Sequence, residues 1–69
     1  MDKHLFLRNL GLKVKQIRSE KGVSITELAS LCNMDRANFS RFESGQKNTH
    51  IHTLKIIADK LDVDIKDFL

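Results

Sequence analysis

Two helix-start signals stand close together in the middle of the chain with a single stop between them, and this arrangement limits what the rest can become. In VSITEL, Ser24 can accept from the Glu27 amide while Glu27 reaches back, and Val23 can pack on Leu28 across the helix start. The helix so opened runs through Leu28, Ala29 and Cys32. It is expected to stop at Asn33, a residue type that tolerates the left-handed conformation. Met34 and Asp35 then repeat the same logic with Phe39, so another helix begins only two residues after the stop. A turn that brief forces the two helices to cross steeply.

In the second helix of this pair, Phe39 and Phe42 point inward at i, i+3 and Gly45 closes the helix. Arg36, Ala37, Ser40 and Arg41 occupy the remaining arc, with Asn38 beside them. The outcome is a short helix anchored by two rings and carrying a row of hydrogen-bonding groups outward.

Helical spacing recurs on both sides, and there is neither proline nor a long alternating run of β-branched residues. Phe6, Leu10, Val14 and Ile17 make one apolar stripe on a first helix that ends at Gly22. Thr49 or Asn48 can cap a fourth helix with Ile51, Leu54, Ile57, Ala58 and Leu61 as its core stripe, and Asp62 sits where a tight turn is needed. Asp64 can cap a last turn, IKDFL, whose Phe68 staples onto Val63. The pattern predicts a compact all-α fold of five helices. Its 69 residues, 1–69, form a single domain, because a second would lack apolar material for its own core.

The single Cys excludes an internal disulfide, and Cys32 falls on the buried stripe rather than beside an activating group. No apolar run is long enough to span a bilayer, and MDKHLFLRNL is too short an apolar patch for a signal peptide, so a cytoplasmic protein without a membrane partner is expected. His50 and His52 are two apart, so on a helix their side chains diverge by about 200° and share no metal. With no phosphate-cradling glycine loop and no carboxylate pair in an apolar setting, no cofactor, metal or catalytic residue is expected, and an enzyme is disfavoured. The net charge of +3 hides an asymmetry: residues 1–47 carry nine Lys or Arg against five acids, a net of +4, while the remainder is at −1. That excess favours an anionic partner.

A brief turn between two capped helices, the second presenting Arg and Asn near its start, is the arrangement expected of a helix-turn-helix reader of the DNA major groove. From Leu10 to Leu69, through LGLKVKQIRSEKGVSITELA, CNMDRANFSRFESGQKN and IHTLKIIADKLDVD, the sequence resembles the phage repressor and Cro-type (XRE) helix-turn-helix domains, which include restriction-modification controllers and small bacterial transcriptional regulators. The resemblance implies a lambda-repressor-like fold and an internal ion pair between Arg18 and Glu43. It also implies a homodimer in contact near Asp62, Val63, Phe68 and Leu69. Three positions depart from the family: Ile25 where Gln commonly touches a phosphate, Thr49 where Pro precedes the fourth helix, and a fifth helix only one turn long.

On this reading the chain is a sequence-specific transcriptional regulator on a palindromic or near-palindromic double-stranded DNA operator. Arg36, Ala37, Asn38 and Arg41 are the candidates for base edges, since Arg suits guanine, Asn suits adenine and Ala can touch a thymine methyl. Ser24, Thr26, Ser40, Gln46, Lys47 and Asn48 are the candidates for phosphates. For Lys13 and Lys15, a solvated face has at least as strong a claim as a DNA contact. The second class is a protein-binding module of the antitoxin kind, holding a toxin or RNA polymerase. Exposed Leu12, Leu31 and Ile56 would favour it.

Overall fold

The computed structural model describes residues 2–69; Met1, included in the single-domain expectation, lies outside the described residues. Four α-helices follow one another: α1 (Lys3–Glu20), α2 (Ile25–Leu31), α3 (Arg36–Glu43) and α4 (Ile51–Leu61). A single 3₁₀ turn, Ile65–Phe68, follows them. The expected count of five helices is therefore corrected to four. In the last segment the Asp67 and Leu69 amides bond three residues back, to Asp64 and Lys66, which gives the tighter 3₁₀ pitch. Asp64 and Asp67 cap it reciprocally.

All four α-helices close in the same way. After each, the chain passes through a left-handed residue: Gly22 (φ 70°), Asn33 (φ 56°), Gly45 (φ 80°) and Asp62 (φ 58°). The next amide then reaches back across the turn: Val23 to Arg18, Met34 to Ala29, Gln46 to Arg41 and Val63 to Ala58. Helix starts are more varied. Asp2, Ser24 and Asp35 accept from amides of the first turn, at 3.4, 3.0 and 3.4 Å. For α4 the cap residue is His50, without a side-chain bond, and not Thr49 or Asn48. The Asn48 side-chain oxygen is engaged before the helix starts, accepting from the amide of the next residue, Thr49, at 2.8 Å.

The core gathers Leu10, Val14, Leu28, Phe39, Phe42, Leu54, Ile57, Leu61 and Phe68, with the Phe39 and Phe42 rings edge-to-face at 5.9 Å. α1 packs on α3 and on the 3₁₀ turn, while α2 packs on α3 and α4. Two expected core residues lie outside. Phe6 is 46% exposed, and Leu7 takes its place in a stripe with Leu10, Gly11 and Val14. Ile51 is 66% exposed, because the first turn of α4 projects past the core that Leu54 begins.

Gly11 explains the roll of α1. A Cβ there would run into the carbonyl oxygens of Phe42 and Glu43, so only a residue without a side chain lets the two backbones meet. One face of α1 is thereby fixed on the end of α3, and Phe6 turns away. Gly45 meets Arg8 of α1 in the same manner, its absent Cβ falling 2.5 Å from Arg8 Cγ and 2.7 Å from Arg8 Cα.

Candidate nucleic-acid interface

The candidate surface is built on α3, whose apolar face is fully committed: Phe39 is 0% and Phe42 1% exposed. The helix cannot rotate about its axis without exposing both rings. Arg36, Ala37, Ser40 and Arg41 lie in solvent, and Asn38 is half-buried beside them. Arg41 Nη1 donates to Asn38 Oδ1 at 3.0 Å, so two of the base-edge candidates are joined along the helix. The Ser44 hydroxyl donates to the Arg41 carbonyl at 3.0 Å and tightens the last turn.

A clamp sets the end of α3 against α1. Arg18 Nε donates to Glu43 Oε2 at 2.8 Å and Nη2 to Oε1 at 3.1 Å, a two-bond pairing of guanidinium and carboxylate. Nη1 donates to the Val23 carbonyl at 2.9 Å, so one guanidinium ties α1, the turn before α2 and α3 together. The Arg18 and Glu43 side chains are mostly buried, and every buried side-chain polar atom among the described residues has a partner. Such a pairing fixes geometry more reliably than it adds stability.

Ser24, Thr26, Ser40, Gln46, Lys47 and Asn48, the phosphate candidates, are all exposed. The Ser24 oxygen accepts from Glu27, leaving its hydroxyl hydrogen for an outside acceptor. Ile25 is half-buried and packs on the core, so an apolar contact stands where the family's usual Gln would brace α3. Lys13 and Lys15, weighed alike in the sequence, separate here. Lys15 lines a cleft with Arg18, Ile25, Ser40 and Glu43, next to the α2–α3 pair, whereas Lys13 lines a groove with Phe6, Phe68 and Leu69. Sequence reasoning missed Gly11, although a glycine inside an 18-residue helix costs about 1 kcal/mol against Ala and so signals a close approach.

The four residues assigned to a dimer contact differ in exposure. Asp62 is exposed, Val63 is half-buried and Leu69 is 67% exposed. Phe68 is only 2% exposed, because the 3₁₀ turn packs on both α1 and α4 and its ring is covered within its own chain. Among the exposed apolar residues named in the sequence, Leu12 and Leu31 lie in solvent, while Ile56 is half-buried against the core. Burial pushes the Cys32 thiol above its usual pKa, with Lys60 opposing in part, which is the reverse of nucleophile activation. No helix among the described residues is long and apolar enough to cross a membrane, and no three of their His, Cys, Asp or Glu side chains gather to hold a metal ion.

At the level of sequence, no curated protein matches the chain. Solved structures do. The chain is similar to the restriction-modification controller protein C.AhdI from Aeromonas hydrophila, with 28% identity and a TM-score of 0.88 over 91% of this chain and 96% of that one. The wild-type restriction-modification controller C.Esp1396I is 33% identical, with a TM-score of 0.82 over 91% of this chain and 83% of that one. SinR, a master regulator for biofilm formation solved in complex with DNA, is 33% identical, with a TM-score of 0.77 over 86% of this chain and 95% of that one. The family model described as a helix-turn-helix domain matches residues 9–67. With that match over nearly the whole chain, and with the α2–α3 pair as its centre, this protein belongs to the helix-turn-helix family and has the fold of the XRE-type transcription regulators.

Proposed function

We propose that the chain is a single-domain, sequence-specific DNA-binding transcription regulator that lays α3 in the major groove and acts as a homodimer on a palindromic or near-palindromic operator. The observation that carries this reading is α3 itself. Its rings are locked in the core and its end is clamped by Arg18, while Arg36, Ala37, Asn38 and Arg41 face outward from its first two turns. In this reading those four meet base edges, and Ser24, Thr26, Ser40, Gln46, Lys47 and Asn48 meet phosphates. The exposed end at Asp62 and Leu69, with Val63 beside it, supplies the dimer contact, and Phe68 supports it from beneath. The likeness to two controller proteins and to SinR in complex with DNA supports the same role, which requires no catalysis.

Titration of duplex DNA at several salt concentrations tests the proposal. Phosphate engagement gives a logarithmic affinity that falls steeply with the logarithm of salt concentration, because counterions are released on binding. A flat salt response, or absence of binding to a random-sequence pool at low salt, rejects it. A second reading, a module that holds a protein such as a toxin or RNA polymerase, draws on the exposed Phe6 and Leu12 of α1, which line one groove with Leu69. It predicts protein capture that persists when Arg36 and Arg41 are replaced.

A further inference from the structure

We propose that Asn38 is the positioning residue for Arg41, so that the two side chains read DNA as one unit. This rests on the reading of α3 as the groove-reading helix. Asn38 and Arg41 are three apart on α3, and Arg41 Nη1 donates to Asn38 Oδ1 at 3.0 Å. Only the amide oxygen can accept from a guanidinium, so the bond also fixes which way the amide faces. Asn38 is itself restrained: it is half-buried, and its backbone amide points at the Asp35 cap oxygen, 3.4 Å away. Arg41 is exposed, and a long side chain in solvent otherwise samples many rotamers.

With Nη1 turned toward Asn38, the Nε and Nη2 edge of the guanidinium stays free. Two parallel N–H donors on one planar edge suit O6 and N7 of guanine. The Asn38 amide nitrogen, the group not bonded to Arg41, is left with its hydrogens for a neighbouring acceptor. In free protein the exposed bond competes with water and holds weakly. Once DNA covers α3 and water leaves, the same bond strengthens, so its effect appears in base discrimination and not in the stability of the free protein.

The experiment begins with the duplex that the wild-type protein selects from a random-sequence pool. Affinities for that duplex and its single-base variants are measured for wild type, Arg41→Ala, Asn38→Ala, Asn38→Asp and the double Ala variant, alongside thermal melts. Arg41→Ala identifies the base pair that Arg41 reads. Asn38→Ala is expected to lower discrimination at that same base pair about fivefold, with no further loss there in the double variant and with an unchanged melt. Asn38→Asp keeps an accepting oxygen for Arg41 and is expected to restore that discrimination, while its charge weakens all duplexes alike. Discrimination at the Arg41 base pair that survives Asn38→Ala, or that Asn38→Asp leaves lost, overturns the inference while DNA reading by α3 stands. If Arg41→Ala changes no base preference, Arg41 is not the reader and the inference falls as well. A pool that yields no preferred duplex overturns the proposed function, and the inference with it.

Discussion

Gly11 of α1 lies directly against the carbonyls of Phe42 and Glu43 at the end of α3, with no room for a methyl group between the two backbones. Gly11→Ala would gain about 1 kcal/mol of helix propensity. The overlap with two backbone carbonyls costs more, because neither helix can yield without disturbing its own core, and overpacking of this kind costs about 1–3 kcal/mol or above. A net loss of about 2 kcal/mol, seen as a melting temperature lower by roughly 10 °C, is expected for a chain of this size. A melt at or above that of wild type would show that the helices are not in backbone contact.

Arg18 and Glu43 should behave as one unit in stability. Arg18→Met strands a buried carboxylate and also deprives the Val23 carbonyl of its donor, for a loss of about 3 kcal/mol or more. Adding Glu43→Leu removes the stranded charge and should recover much of that loss. Melts of wild type, both single variants and the double variant test this, and losses that simply add would mean that the residues are energetically independent.

Arg41 and Lys47 are expected to fail differently when replaced by Ala. Losing the Arg41 fork should cost about 1–3 kcal/mol at the preferred duplex and relax selectivity at one base pair per half-site, with little change on random DNA. Losing Lys47, which lies beyond the Gly45 turn, should weaken all duplexes alike and make the salt slope shallower by about one unit per site. Equal losses on every duplex for Arg41→Ala would remove it from the base readers.

The end of the chain separates core from surface. Phe68→Ala should cost about 3–5 kcal/mol because the ring is buried within its own chain, and much of the fold is then lost at ordinary temperature. Leu69→Asp, at an exposed position, should leave the melt of dilute protein nearly unchanged while weakening self-association. Sedimentation at micromolar concentration provides the check. A wild-type protein that stays monomeric with and without DNA rejects the homodimer.

Cys32 should resist thiol reagents. Its buried thiol is held above the usual pKa, so less thiolate is present at any given pH, and the sulfur is also shielded. Alkylation at pH 8 is expected to run more than about tenfold slower in the native protein than in denaturant. Equal rates in the two states would place Cys32 at the surface.

What could be read from the sequence divides along a physical line. The stops at Gly22, Asn33, Gly45 and Asp62, and the caps at Ser24, Asp35 and Asp64, answer to backbone needs that neighbours within a few residues satisfy. They were legible for that reason. The inward turn of Leu7 in place of Phe6 depends on how Gly11 meets α3 more than 30 residues away, and the cover over Phe68 exists only once α1 and α4 are both in place. Neither is written in local spacing. The Arg18 and Glu43 contact, 25 residues apart, follows from family resemblance, and the second partner of that guanidinium, the Val23 carbonyl, is visible only in the structure.

α3 has eight residues, of which Phe39, Phe42 and Glu43 are buried. The remaining Arg36, Ala37, Asn38, Ser40 and Arg41 can be exchanged without touching the core or the clamp on α1. On the proposed reading of α3, scaffold and address are therefore written in different letters of one short helix. Rewriting those five positions would then redirect such a chain to a new duplex while leaving the buried rings and the clamp in place.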